Sequence, residues 1–331
     1  MGHPPQLPRF PLHRKEHLPD SLLISRVPEL FRIHIRPGGG PAATSPDADA
    51  AISFDYCLRE RVLGLGWQVD FPPGSDRTWK AYESLAVQQY GASGLSRVRF
   101  LHDNLRPRDL LWTRSPLGEY YLAQVLSPWE YHEGPGSVKA DIVNVIRCQI
   151  LGVEQVDDVP GEIINCFRPR RAIQGIRKPT AVSYSQLLWN QLAHSNDYDP
   201  VRGCLANLFS FLDPETAEDV VFIYLQKLGW LVIPHSRKAD TMGFEFILIH
   251  ANSKKRAVVQ VKTGSVPLRR EDWGNRTEEV FLFQTNGNYC GADTQGVTCL
   301  DPEQLRTFIS EHLDVMPKAV QRWVMQLRGN M

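Results

Sequence analysis

TMGFEFILIHANSKKRAVVQVKTG, residues Thr241 to Gly264, holds two β-rich runs, Phe244–His250 and Arg256–Lys262, around the polar break Ala251–Lys255. β-Branched and aromatic residues on both sides of a short charged turn predict a β-hairpin. The first run carries one acid, Glu245. The second carries Gln260 and Lys262, two residues apart, so both side chains leave the same face of the strand. Charged groups set into such apolar strands need a partner or a metal, because an isolated buried charge is costly.

The residue types suit one chemistry. A hard cation such as Mg²⁺ takes a few oxygen ligands and keeps several waters. Glu245 can supply a carboxylate, Gln260 a side-chain carbonyl and Val261 its backbone carbonyl. Lys262 can then position an attacking water or hold a phosphate oxygen. Together these supply a Lewis acid, a placed nucleophile and a cation for developing charge, which is what phosphodiester hydrolysis requires. The plainer alternative is a cross-strand ion pair between Glu245 and Lys262 on a half-exposed sheet. The neighbouring elements bear on that choice.

Upstream, Asp213 to Trp230 reads as a helix. Asp213 fits the N-cap and Pro214 the first turn, with Val220, Ile223, Tyr224 and Leu228 as an apolar stripe and Gly229 as the stop. Downstream come a core strand Glu279–Gln284, a turn cluster Thr285–Tyr289 and a short strand Gly296–Leu300. A capped helix, Asp301 to Leu313, and a last helix, Lys318 to Arg328, complete the chain. With the hairpin, this order resembles the PD-(D/E)XK nuclease superfamily and, within it, the Mrr-like restriction endonucleases, whose last motif reads Q-x-K. The resemblance covers residues 205–312 and implies an α/β core, a mixed sheet flanked by helices. It casts Glu245 as the metal-binding acid, Gln260 as the second metal-site position and Lys262 as the catalytic lysine. Glu218 on the preceding helix is its third acid, with Asp219 behind it. It implies Mg²⁺ as cofactor, with Mn²⁺ as substitute. Two departures stand out: Glu occupies the place where Asp is commoner, and no Pro-Asp pair precedes it. Asp240, five residues upstream, can replace or assist Glu245. Gln260 also removes one negative charge from the site.

The N-terminal half reads differently. Phe31–Arg36 alternates as a strand, Gly38–Asp49 is loop-like, and Trp79–Tyr90 is a candidate helix. Gly64 and Gly66 lack the third glycine of a dinucleotide fingerprint and fit a strand passing close to another backbone. The runs Arg108–Arg114, Glu119–Val125 and Asp141–Arg147 are short strands at close spacing, with Ser127–Tyr131 closing the segment after the second, and they predict a small, mainly β barrel. The pieces "DLLW", "YYLAQV" and "PW" resemble SH3-like readers of the PWWP and Tudor type and PUA/EVE-like barrels. The LGLGW piece and the span of 27–172 favour the PUA/EVE-like comparison. Such barrels bind modified bases in an aromatic pocket. A flipped base needs aromatic faces to stack on and a group to read its edge. Trp67, Trp112, Tyr120, Trp129 and Tyr131 are the candidate faces, and Asp109 or Asn144 the edge reader. Against this, Trp and Tyr are heavily buried on average and serve as core.

Length divides the chain into a tail (1–26), a reader domain (27–172), a connector with a joining helix (173–204) and a nuclease domain (205–331). The formal net charge is zero; residues 180–331 hold 15 Lys+Arg against 17 Asp+Glu, leaving 22 against 20 in residues 1–179. Neither half is basic enough for nonspecific coating of nucleic acid. Local tracks remain: Arg168, Arg170 and Arg171, and Lys254 and Lys255 at the hairpin tip, are candidate contacts to a DNA backbone. Six cysteines without a C-x-x-C pair argue against a zinc site and suit a reducing cytosol. No apolar run approaches a membrane span and no signal peptide is expected, so the expected location is cytoplasmic. The expectation is a modification-dependent restriction endonuclease acting on double-stranded DNA as a homodimer or higher oligomer. The alternatives are a non-catalytic nucleic-acid adaptor on a degenerate nuclease fold, and a nuclease acting on RNA.

Overall fold

The computed structural model describes residues 26–35, 37, 49–169, 171–234, 236 and 243–329. It is a mixed α/β protein with two principal sheets flanked by helices. In the N-terminal half the elements run β1 (Leu30–Ile33), α1 (Ala50–Glu60), β2 (Val62–Leu65), α2 (Trp79–Gly94), α3 (Ser96–Asn104), β3 (Leu110–Arg114), β4 (Tyr120–Tyr131), α4 (Pro135–Lys139), β5 (Asn144–Gly152), α5 (Gly161–Cys166), β6 (Ile173–Ile176) and α6 (Pro179–Ala193). The C-terminal half follows with α7 (Pro214–Lys227), β7 (Trp230–Val232), β8 (Phe246–His250), β9 (Arg256–Lys262), β10 (Leu268–Arg269), β11 (Glu279–Gln284), β12 (Tyr289–Cys290), β13 (Val297–Leu300), α8 (Pro302–Glu311) and α9 (Lys318–Arg328).

The expected N-terminal barrel is corrected. Its strands form an open six-stranded sheet, β2-β5-β4-β3-β1-β6, and the described residues contain no closed barrel. Helices on both faces account for this. Leu111, Ala123, Val125 and Ile146 pack under α1, α2 and α3 through Phe54, Tyr82, Ala86 and Leu101. On the other face Leu110, Trp112, Tyr120 and Leu122 pack against Ile163 of α5 and Leu188 of α6. A sheet covered on both sides gains nothing by curling around its own interior. Its α1 is capped by Asp49, whose side chain accepts from Ile52 N, in a stretch without a clear helical signature. β4 continues as one strand through Tyr131, with its register shifting between Val125 and Trp129, where Pro128 has no N–H to give. Gly64 marks a close approach: a Cβ there would lie 2.4 Å from the Asn144 carbonyl oxygen. Residues 173–176, assigned above to the connector, form β6 and pair with β1.

The C-terminal sheet has the order β13-β11-β9-β8-β7. β9, β11 and β13 run parallel, while β8 and β7 add antiparallel to the β9 edge. Its two faces are covered unequally. Phe246, Leu248, Ala257, Val259, Val261, Phe281 and Phe283 belong to the large core shared with α6, α7, α8 and α9. Among the described residues, the buried apolar cluster on the second face is small, Val258, Leu268, Val280 and Leu282, with Phe244, Ile247 and Trp273 packed around it. Odd and even positions of β9 therefore meet different surroundings, and Gln260 and Lys262 fall on the thinly covered face with Val258. No helix among the described residues is long and apolar enough to cross a membrane.

Candidate active site

The hairpin ends where the candidate residues meet. The last pairs of β8 with β9 place Phe246 opposite Val259, and the Glu245 amide still donates to the Val259 carbonyl at 2.8 Å. One step further, Glu245 faces Gln260 across the strands. The Gln260 Nε2 donates to Glu245 Oε1 at 2.6 Å and to the Val261 carbonyl at 3.0 Å. Gln260 is 4% exposed, so its amide is held in place rather than rinsed by solvent. Val261 itself belongs to the core, and only its carbonyl is turned to the site. Lys262 follows on the same face as Gln260 and is exposed.

Three oxygen sources thus converge: the Glu245 carboxylate, the Val261 carbonyl and the Gln260 amide. An amide turned by 180° exchanges its nitrogen and oxygen at nearly the same shape. So turned, Gln260 would offer its oxygen beside the other two. This donor set suits a hard cation that retains several waters. It is a poorer set for zinc, whose protein sites are built mostly on Cys sulfur and His nitrogen. The described residues contain no group of three or more His, Cys, Asp or Glu placed to hold a metal.

The other expected residues are placed as follows. Glu218 is half-buried on α7. The buried side of α7, Ala217, Val220, Val221 and Tyr224, packs on the large core, so the helix lies against the face opposite Glu245 and Gln260. Asp240 and Arg170 lie outside the described residues. Lys254 turns its ammonium back onto the Ala251 carbonyl at 2.6 Å, and Lys255 pairs with Glu279 at 2.6 Å. Arg168 and Arg171 are exposed. Beneath them Arg32, fully buried, donates to the Arg171 carbonyl and to Gln174 Oε1 at 3.0 Å, tying this basic loop to β1.

The aromatic candidates divide between two faces of the N-terminal sheet. Trp112 is fully buried and its indole donates to Ser185 Oγ of α6 at 2.8 Å. Tyr120 packs edge-on to Phe167 on that side. Trp67, Trp129 and Tyr131 lie on the opposite face. Asp109 accepts from the amides of Glu29 and Arg106 at 2.8 and 2.9 Å, so its carboxylate closes a turn instead of facing a ligand. Burial raises its pKa, and those two amides hold it down in part.

Sequence reasoning overlooked residues that build the face around Trp129. The His102 ring stacks on Trp79 at 3.9 Å, Trp79 meets Trp129 edge-on at 5.1 Å, and Trp129 donates to Asn144 Oδ1 at 3.1 Å. Trp67 sits at φ +65°, a backbone state unfavourable for its side chain. Three tyrosines hold the segment there: Tyr82 Oη donates to the Trp67 carbonyl at 3.0 Å, Tyr90 Oη to the Gln68 carbonyl, and Tyr131 Oη bridges the amide and carbonyl of Val69. Trp79 and His102 lie on different helices 23 residues apart, so no local spacing announces their stack.

No family model matches the chain, and no curated protein matches it. Among solved structures, the DNA modification-dependent restriction endonuclease AspBHI aligns over 80% of this chain and 79% of its own, with 10% identity and a TM-score of 0.24, a likeness too slight to assign a fold or an activity.

Proposed function

We propose that this chain is a metal-dependent endonuclease acting on double-stranded DNA, with modified bases recognised by its N-terminal half. The observation that carries the reading is the buried Gln260 amide fastened between Glu245 Oε1 and the Val261 carbonyl, with Lys262 next on the same open face. In this reading Glu245, Val261 and Gln260 hold Mg²⁺, or Mn²⁺ in its place, while Glu218, carried by the helix on the opposite face of the sheet, takes no part. The cation, when bound, polarises a phosphoryl oxygen and acidifies a water. Lys262 directs its ammonium at the phosphate, orienting the attacking water and offsetting charge as it grows in the transition state. Lys262 ends β9 two residues after Gln260, so its side chain leaves the strand on the same face. The half-exposed Trp67 and Trp129 are the surfaces on which an extruded base would stack. Arg168 and Arg171 are suited to the backbone phosphates. Cutting two strands with one site per chain calls for two copies on the DNA. The biological role that fits is defence against foreign DNA.

A non-catalytic adaptor is the second reading, favoured by the amide that stands where a second carboxylate would strengthen metal binding. The deciding experiment is cleavage of unmodified and modified duplex DNA, and of RNA of matched sequence, with Mg²⁺ or Mn²⁺, beside Lys262→Ala. Cutting confined to modified DNA and lost in the variant is the expected result. Cutting of all DNA removes the modified-base reader and leaves the nuclease. Binding without cutting, unchanged in the variant, establishes the adaptor.

A further inference from the structure

Gln284 lies at the end of β11, in register with Lys262 of β9, and is fully buried. Its amide makes four hydrogen bonds. Nε2 donates to the carbonyls of Gly264 at 2.7 Å and Val266 at 3.2 Å, and Oε1 accepts from the amides of Asn286 at 2.7 Å and Asn288 at 3.0 Å. An amide offers two donors and two favourable acceptor directions, so this one is saturated. It joins the turn leaving Lys262 to the turn leaving β11, just before the two segments pair again as β10 and β12.

The same joint is reinforced around it. The Thr285 amide donates to the Lys262 carbonyl at 3.0 Å. Asn286 Nδ2 donates to the Gly264 carbonyl at 2.8 Å, and Asn288 Nδ2 to the Ser265 carbonyl at 2.9 Å. Gly264 at φ +77° and Gly287 at φ +70° let both turns bend sharply enough to meet. Tyr289 Oη then accepts from the Gln284 backbone N–H at 2.9 Å and donates to the Leu300 carbonyl at 2.6 Å, fixing this end of β11 to the next strand. An exposed lysine on a flexible stem has little to hold it except the backbone that carries it. Here that backbone is pinned on its C-terminal side by several bonds, of which the buried Gln284 amide supplies two.

We infer that Gln284 is a positioning residue for Lys262: it holds the turn after Lys262 so that the ammonium stays over the Glu245–Gln260 edge. The inference rests on the reading of Lys262 as the catalytic lysine. A displacement near 1 Å at a reacting group costs about 10²-fold in rate, whereas contacts that only glue two turns alter stability. Buried, satisfied amides of this kind specify one arrangement, because every alternative leaves a polar group unpaired.

The test is a four-corner cycle of wild type, Gln284→Met, Lys262→Ala and the double variant, read as single-turnover cleavage of duplex DNA with Mg²⁺ and as DNA affinity in its absence. Methionine keeps the length and loses all four hydrogen bonds. Gln284→Met should slow cleavage about 30- to 100-fold, leave DNA affinity within about twofold, and add nothing in the Lys262→Ala background. Equal losses in both backgrounds, an unchanged rate, or a loss accounted for by weaker DNA binding would each overturn it. Asn286→Ala removes one exposed strut and serves if Gln284→Met does not fold; its smaller loss should likewise vanish without Lys262. Cutting that requires Lys262 but ignores both substitutions sinks this inference alone. Cutting by no form of the protein, or cutting indifferent to Lys262, sinks the nuclease reading first and the inference with it.

Discussion

Gln260 decides what kind of site the hairpin edge can be. Its amide is buried and donates to two oxygens at once, so removing it leaves Glu245 Oε1 and the Val261 carbonyl without that partner. Gln260→Glu tests its electrostatics directly. Without a cation the new carboxylate sits against Glu245, and like charges at that range should cost about 1–2 kcal/mol of stability. With Mn²⁺ the same pair becomes a better ligand set, so affinity should rise at least about tenfold. Thermal unfolding with and without Mn²⁺, together with titration calorimetry, reads both. A variant that gains no Mn²⁺ affinity would remove the cation from this edge. This part of the site was legible in the sequence because a period-two strand puts residues 260 and 262 on one side whatever surrounds them. Gln284 was not legible. Its importance comes from a parallel pairing with a strand 22 residues earlier, and nothing in QTNGNY reveals that partner.

At the scale of elements, α7 meets α5 through a crowded acidic joint. Asp213 caps α7, accepting from the Thr216 amide at 3.0 Å and from Thr216 Oγ1 at 2.7 Å. Glu215 is bound by Asn165 of α5 at 2.7 Å, and Glu162 of α5 pairs with Lys178 at 2.5 Å. Burial pushes the Asp213 carboxyl up to about 6, from an ordinary 3.8; the Thr216 bonds oppose the rise and the neighbouring Glu215 adds to it. A carboxyl with a raised folded-state pKa binds its proton more tightly when folded. Its contribution is therefore fully present below pH 3.8 and is lost as pH rises through about 6. Asn is as good an N-cap as Asp and carries no charge. Asp213→Asn should raise Tm at pH 7.5, and the gain should shrink steadily toward pH 4. A gain that is the same at both pH values would show that Asp213 does not change its protonation between them, and would overturn the raised pKa. Elements also explain the misread barrel. LLWTR and YYLAQV are apolar nearly throughout, the pattern of strands buried on two faces rather than strands lining an enclosed core. Ending the strand at Val125 hides the continuity of β4 through Tyr131. Followed as one strand, alternation puts Tyr120 on the face opposite Trp129 and Tyr131, which is where the structure has it. By contrast, α7 and α8 were legible because each opens with an aspartate cap followed by proline. Gly64 offers a check on the β2–β5 contact. With Asn144 O at 2.4 Å and a Val145 methyl at 2.9 Å from a Cβ, Gly64→Ala should cost about 1–3 kcal/mol by overpacking, read by denaturant titration.

At the scale of the whole molecule, the two sheets share apolar packing. One apolar cluster runs from Leu30, Trp112 and Tyr120 of the first sheet, through Tyr184, Leu188 and Trp189 of α6, to Val259 and Phe283 of the second sheet and Trp323 of α9. A polar clamp crosses the same boundary. Arg322 of α9 donates to both carboxylate oxygens of Asp158, at 2.5 and 2.8 Å, and to Gln191 Oε1 of α6 at 2.7 Å. Asp158 is 4% exposed, and that guanidinium spans both of its oxygens. A core shared in this way couples the unfolding of its parts, since neither sheet can open without exposing apolar surface on the other. The full chain should unfold in a single thermal transition whose calorimetric and van't Hoff enthalpies agree. Arg322→Ala should lower the stability of that single transition by about 3 kcal/mol, because it strands a buried carboxylate. Arg322→Met with Asp158→Leu should recover much of the loss, since an apolar pair carries no desolvation cost. Two separate transitions in the wild type, with Arg322→Ala moving only one, would mean that the halves fold independently. In the coupled case, anything that grips the face around Trp67 and Trp129 also stabilises the sheet that carries Glu245, Gln260 and Lys262.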